Sequence, residues 1–465
     1  MSKPKIGLLG LTLELYEGTA PELRKGREAF VREKLAPALA DVADVRFDGA
    51  VFAREAVERA VAGFEADGVD AILVVLLSYA QSLVSAPALK RTDLPIVVWN
   101  TQELLAVNES YGNAEMLANH GVHGTHDLCN VLVRAGVPFE YVTGHVDDAE
   151  AVGELGDFFR AAYAAGRLRQ ARLGLLGYPF PGMGDFGLDT THMATSLGCA
   201  WTALSVAEYV KRCAEADAAQ VKKLVGEYQK AYDIASGITT DELAEAARAE
   251  VALRGMVEDN RLDAVTYEFL AFGEDERVET LPFVGMSRLL GEGIGFGGEG
   301  DLISSAGTVL LNWLNPPASF SEIFTVDFAG GALFVSHMGE ANVGMNRRDR
   351  KPRVVKREAS LVPIRGSQLA PVVSFEPGEA TLVALTLTAG QHWRLIAAPM
   401  TIEDFGPLEV LAVPHSKIKP KGDVREFLTG YAKAGGPHHL AVCFGDARRR
   451  LRMLAGILGA DFCEL

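Results

Sequence analysis

The N-terminal part of the chain pairs apolar runs with amphipathic stretches again and again, and that rhythm admits few folds. Residues 5–10 read as a buried strand, 21–40 as an amphipathic helix, 42–47 as a second strand and 53–66 as a second helix. Residues 69–77 are almost wholly apolar and end in Ser78-Tyr79-Ala80-Gln81. Residues 94–99 repeat the pattern and end in Asn100-Thr101-Gln102. Apolar runs of that kind suit central strands covered on both faces. Strand and helix in alternation imply a parallel, doubly wound sheet with ligands outside the carboxyl ends of its strands, where Gln81, Asn100 and Gln102 fall.

The alternation continues. A polar segment, Asn119-His120-Gly121-Val122-His123-Gly124-Thr125-His126-Asp127, precedes a helix to about residue 135, and a long helix over 148–168 closes a first domain. Residues 172–177 restart with an apolar strand and a glycine turn. Helices over 205–214, 218–231 and 240–259 are then followed by expected strands at 264–267 and 281–284. After Asn315-Pro316-Pro317 the chain turns to short runs rich in β-formers, at 323–326, 332–335, 372–375 and 380–387. Such spacing indicates antiparallel sheet or barrel. The expected architecture is α/β: two doubly wound parallel-sheet (Rossmann-like) domains, 1–168 and 169–317, and a mostly antiparallel, barrel-like domain over 318–465.

Charge narrows the partners. A formal net charge of −16 argues against nucleic-acid or anionic-membrane binding. The basic run at 347–353 reads as a solvated or subunit-contact loop. No run is long enough to span a bilayer, the N-terminus has no signal-peptide pattern, and five scattered cysteines without CxxC spacing suit a reducing cytoplasm. The first strand–helix turn lacks GxGxxG, so neither nicotinamide nor flavin is expected.

Chemistry concentrates at residues 291–301, Gly-Glu-Gly-Ile-Gly-Phe-Gly-Gly-Glu-Gly-Asp. Glycine at six of those eleven positions excludes a regular helix or a central strand. The stretch reads as a tight loop aiming Glu299 and Asp301 outward. Downstream lie Glu322, His337 and the pair His438-His439. Carboxylate oxygens with imidazole nitrogens suit manganese-like ions. A glutamate pair beside such an ion can take a proton from a carbon next to a carbonyl and return it to the neighbouring carbon. Interconversion of an aldose and a ketose needs that equipment and no redox cofactor. Metal-assisted hydrolysis could use the same ligands. Each residue also has a plain structural alternative: Glu299 a helix cap, Glu322 a solvated strand-end charge, His337 a satisfied core histidine. Adjacent residues of an extended chain point to opposite sides, so only one of His438 and His439 is expected to face the site.

The order GGEGD (297–301), FSEIFTVDF (320–328), FVSHM (334–338) and AGGPHH (434–439) resembles the L-arabinose isomerase family within the L-fucose isomerase-like group. Leu15-Tyr16, Asn100-Thr101-Gln102, His123-Gly124 and Val142-Thr143-Gly144-His145 extend the resemblance over most of the chain. It implies an aldose–ketose isomerase with Mn2+ held by Glu299, Glu322, His337 and His439 (or His438), the two glutamates moving the proton, and it leaves Asp301 as a supporting or capping residue. It places Glu14, Gln102, His120 and His123 on the substrate side. It also implies a homotrimer or homohexamer with sites at subunit boundaries, His120 and His123 reaching a neighbour's substrate. The family's glutamine and histidine before LYG are Leu13 and Glu14 here, its glutamine before HGG is His120, and its HGGRE is His123-Gly124-Thr125-His126-Asp127. Those departures point to a sugar other than L-arabinose. The competing expectations are a sugar-binding protein of the same fold without isomerase activity, or a metal-assisted sugar epimerase or hydrolase.

Overall fold

The computed structural model describes residues 2–357 and 366–465. They form two compact units, one ending at Gly166 and one running from Arg167 to Leu465. In the first unit β1 (Lys5–Leu11), β2 (Asp44–Arg46), β3 (Ala71–Leu76), β4 (Ile96–Asn100) and β5 (Glu140–Thr143) pair in parallel in the order β2-β1-β3-β4-β5. Every residue of β3 is buried, as its apolar run requires of a strand covered on both faces. Leu9, Ile72, Val74 and Val98 form the core with Val57, Val61 and Phe64 of the helix Arg54–Ala66. The order reverses between β1 and β3, so the turns after those strands flank a crevice of the kind that receives ligands in doubly wound sheets.

The second unit joins three sheets in one body. Its parallel part comprises β6 (Arg172–Leu176), β7 (Ala200–Leu204), β9 (Ala264–Tyr267) and β10 (Gly295–Gly297), in the order β10-β9-β6-β7; the short β8 (Asp233–Ile234) lies outside it. Two details differ from the sequence reading. The glycine-rich stretch contributes β10, a three-residue edge strand in which Gly295 and Gly297 lie against the helix Leu302–Leu314. The expected strand at 281–284 is instead the start of a helix, Phe283–Gly291, capped by Pro282. Proline lacks an amide proton and suits a helix start, and this outweighs the β-forming side chains around it.

The remaining strands are β11 (Ala318–Asp327), β12 (Ala332–Ser336), β13 (Arg353–Lys356), β14 (Leu369–Val372), β15 (Gly378–Leu387), β16 (Trp393–Ile402), β17 (His415–Pro420), β18 (His439–Phe444) and β19 (Asp461–Glu464). Six of them run β15-β18-β11-β12-β17-β16, and β15 pairs again with β16, closing an antiparallel barrel; β19 adds in parallel outside β16. Leu333, Leu382, Ile396, Ile418 and Val442 fill its core. Burying each such side chain is worth about 1.5–3 kcal/mol. A small sheet, β14-β13-β8, completes the unit. Within the basic run, Arg347, Arg350 and Arg353 pair with Asp349, Asp404 and Glu409. All five cysteines are free thiols. Among the described residues no helix is long and apolar enough to cross a membrane.

Candidate active site

Register builds the site. In β11, Glu322 lies opposite His439 of β18 on one side and Ser336 of β12 on the other. Directly paired residues of antiparallel strands share a face. Glu322 and His439 therefore project together, and His337 follows one residue beyond Ser336. From the parallel sheet come the turns after β6, β9 and β10, which supply Asp185, Glu268 and Glu299.

The turn after β10 needs its glycines. A Cβ on Gly298 would come within 2.8 Å of Nε2 of His337, and Gly300 takes φ 80° where a side chain would strike the Tyr178 carbonyl. Between them Glu299 adopts φ 60°, a left-handed conformation rare for such a residue and typical of functional sites. The Phe180 amide fixes the turn by donating to the Glu299 carbonyl at 2.9 Å. Asp301, expected as a supporting or capping residue, is buried. Its Oδ1 accepts from the Ser304 amide to cap the following helix, and its Oδ2 lies 2.9 Å from Nδ1 of His439.

One ligand atom each from Glu299, Glu322, His438 and His439 lies within 4.8 Å of all the others. Nε2 of His439 is 2.9 Å from Oε1 of Glu322 and 3.6 Å from Oε2 of Glu299; Nε2 of His438 is 3.5 Å from the latter. Both histidines of the pair thus face the carboxylates, contrary to the expectation of one. The alternation rule fails because His438 lies just before β18, in the turn rather than in the strand. His337 stands beside this group, its Nε2 3.9 Å from Oε1 of Glu322.

Each imidazole has a carboxylate behind it. Asp301 holds His439, Asp185 holds Nδ1 of His438 at 2.6 Å, and Glu340 holds Nδ1 of His337 at 2.5 Å while also accepting from the Tyr267 hydroxyl. In all three the far nitrogen is left directed at the glutamates, the arrangement that prepares a histidine for a metal. Phe186 stacks on His439, and Phe320 meets His337 and His439 edge-on, so the floor is apolar.

Burial would raise the Glu299 carboxyl, but the His438 and His439 imidazoles 3.5 and 3.6 Å away and the positive charge of His439 and His337 outweigh it and hold it at about 2. Burial likewise opposes charge on His439, yet Asp301, Glu299 and Glu322 raise it well above the ordinary imidazole value. Oε2 of Glu299 and Nε2 of His439 are buried without a well-formed hydrogen bond. Unsatisfied buried polar atoms call for an explanation. A divalent cation accepted by these atoms supplies one, and the donor set of carboxylate and imidazole fits it.

Family models match nearly the whole chain. That of the L-arabinose isomerase central domain covers residues 187–315, that of the L-arabinose isomerase C-terminal domain residues 317–461, and that of the fucose/sulfoquinovose isomerase N-terminal domain residues 20–169. The chain belongs to the L-arabinose isomerase family. Among curated relatives, the L-arabinose isomerase of Acidothermus cellulolyticus is 27% identical over 79% of this chain and 74% of its own length. That of Nocardioides sp. is 28% identical over 74% and 70%. That of Geobacillus stearothermophilus is 25% identical over 74% and 70%. With family membership comes the class of enzyme, an aldose–ketose isomerase acting on small sugars.

Of the residues named from sequence in the first unit, His120 and His123 meet side chains from the turns after β1 and β3, Tyr16 and Tyr79. His120 stands at the N-cap position of the helix Gly121–Arg134 without a side-chain cap, and its Nε2 lies 2.8 Å from the Tyr16 hydroxyl. The His123 ring stacks on Tyr79 at 4.5 Å and lies 5.2 Å from His120. Glu14 is exposed at the helix start after β1, and Gln102, following β4, donates to the Leu104 carbonyl.

Sequence reading missed Asp185, Glu340, Tyr267 and Glu268. Glu340 had a signal, three residues after His337. Glu268 follows β9 much as Glu299 follows β10, since Thr266 pairs with Gly297. It is wholly buried; Oε1 accepts from the Leu270 amide at 2.9 Å and Oε2 has no partner. Burial and the charge of Glu299 raise its carboxyl to about 7.

Proposed function

We propose that this isomerase is manganese-dependent and interconverts C1 and C2 carbonyl isomers of a sugar other than L-arabinose through an enediol. The convergence of the Glu299 and Glu322 carboxylates with His438 and His439 carries the reading. Glu299, Glu322 and His439 hold the ion, and His438 or His337 completes the set. Bound there, Mn2+ would polarise the sugar's carbonyl and acidify the adjoining C–H. One of the two glutamates takes the proton from C2 of the aldose and returns it to C1, while the hydroxyl proton moves from O2 to O1. Asp301, Asp185 and Glu340 fix the imidazoles, and Phe186 and Phe320 keep water from the carbanionic face. Glu14, Gln102, His120 and His123 read the sugar. The departures at Leu13, Glu14 and His120 favour an unfamiliar sugar.

The same reading makes the protein a cytoplasmic homotrimer or homohexamer, with the first unit's histidines serving a neighbour's site. Support comes from exposed apolar side chains near them in the chain, Leu15, Leu105, Val107 and Val122. It also retains a boundary near residue 317 within the second unit. Metal analysis of purified protein and deuterium uptake at C2 across a sugar panel, with Glu299→Gln as the control, test the proposal. Wild-type protein that binds no divalent ion, or exchanges no sugar with Mn2+ present, overturns it.

A further inference from the structure

Residues 177–189, between β6 and the helix Thr190–Ser196, form a strap that touches three members of the cluster. The Phe180 amide donates to the Glu299 carbonyl, Asp185 accepts from both Nδ1 and the amide of His438, and Phe186 stacks on His439. Among the described residues, that Phe180 amide makes the single backbone–backbone hydrogen bond from 178–188 to the rest of the chain. Only Phe186 of 178–189 is buried, and a Cβ on Gly182 or Gly184 would meet nothing. Fixing so exposed and glycine-rich a segment costs backbone entropy that its own contacts do little to offset. Away from the cluster the strap is held at its first turn. The Tyr178 hydroxyl donates to Oε1 of Glu274 at 2.5 Å, the Phe180 and Phe269 rings meet at 5.6 Å between centroids, and a Cβ on Gly177 would come within 2.8 Å of Ala271. All three partners belong to the helix Phe269–Gly273 or to its C-cap, Glu274, and Ala271 and Phe272 are buried. That helix is a fixed post, and Tyr178 ties the strap to it.

We propose that Tyr178 and Glu274 are positioning residues for the isomerase: their hydrogen bond clips the strap in place, and the strap holds Glu299, His438 and His439 where they share a cation. The inference rests on the metal reading of the cluster. Neither Tyr178 nor Glu274 belongs to that cluster, so the clip acts on the ion only through the residues between them. Coupling of this kind is reciprocal. An ion that fixes Glu299 and His439 removes part of the cost of ordering the strap, and a clipped strap retards the ion's escape.

Amide hydrogen exchange of the full chain, read by mass spectrometry with and without Mn2+, tests this together with the rate at which a chelator strips the loaded protein. Exchange over 178–189 should slow when Mn2+ is bound. Tyr178→Phe, which deletes the hydroxyl alone, should restore fast exchange there and speed Mn2+ loss by about three- to tenfold, the worth of one hydrogen bond. Glu274→Gln keeps an acceptor and should show a smaller effect, with the melting temperatures of both metal-free variants near wild type. Exchange indifferent to Mn2+, loss of Mn2+ from Tyr178→Phe at the wild-type rate, or faster loss accompanied by a general fall in melting temperature overturns the proposal. The two readings fail differently. Wild-type protein that binds no Mn2+ removes the metal site and the strap's role with it, whereas Mn2+ held equally by wild type and Tyr178→Phe removes the clip and leaves the metal.

Discussion

Two groups of histidines in this molecule are built on opposite principles. His337, His438 and His439 each have a carboxylate on Nδ1, and their Nε2 atoms turn toward further carboxylates. His120 and His123 have aromatic neighbours instead: Tyr16 bonds one and Tyr79 stacks on the other. The consequence is visible in their proton affinity. Burial opposes charge in both groups, but acids reverse its effect at His439, whereas at His120 burial and the nearby His123 together lower the value. We read the acid-backed imidazoles as suited to a cation and the tyrosine-flanked pair as suited to a hydroxyl-bearing ligand.

The contrast can be broken by experiment, most severely at the glutamates. Glu299→Gln should lower the rate of proton exchange by about a thousandfold, within the range expected for loss of a general acid–base group, as measured by deuterium uptake at C2. Asp301→Asn keeps a helix-capping oxygen but removes the charge behind His439. Competition with a chelator should show Mn2+ affinity lower by about 10–100-fold, as for other outer-shell carboxylates, with little change in melting temperature. His120→Gln should leave the metal content of the protein unchanged and raise KM by about tenfold, the size of one hydrogen bond to a ligand. Metal retention with an unchanged KM would erase the proposed division of labour.

The smallest effect concerns pH. In the metal-free protein, NMR titration should place His120 below the ordinary imidazole value and His439 above it. The linkage signs are then opposite. The depressed value of His120 gives stability that is present above the unfolded imidazole value near 6.5 and lost as pH falls below it. The raised value of His439 gives stability that is complete below 6.5 and lost as pH rises through its folded value. Chemical denaturation across that interval, in wild type and His120→Gln, would separate the two contributions.

The difference between the groups also marks what a sequence can reveal. Glu299 stood out because only a close backbone approach explains so many glycines around an acid; Glu322 and His337 were named by the family resemblance, since the strand pattern alone left a solvated charge and a core histidine as alternatives. The parallel sheet of the first unit followed from strand–helix alternation with fully apolar strands such as β3. Partner choice was not legible. Nothing near Asp185 in the chain announces His438, more than two hundred residues away, and the pairing arises only when the turn after β6 meets the turn before β18. Asp301 was expected as a supporting or capping residue, and it is one: a φ of 60° at Glu299 separates a carboxylate facing the cluster from the Asp301 carboxylate turned into a helix cap. The helix at Phe283 was hidden by β-forming side chains whose preference a single proline overrode.

The barrel register has a consequence for how this gene can change. Strand β11 carries an irregularity between Ile323 and Thr325, immediately after Glu322, while its pairing with β18 runs without a break to His439. Side chains alternate faces every residue, so gaining or losing one residue between Ala318 and Glu322 would turn the carboxylate away from His439. The extra residue past Glu322 lies where it can be absorbed without that reversal. Length variation should therefore be tolerated on one side of a single glutamate and lethal on the other. A scan of single-codon insertions along β11, selected for growth on the cognate sugar, would display that asymmetry as a step at position 322.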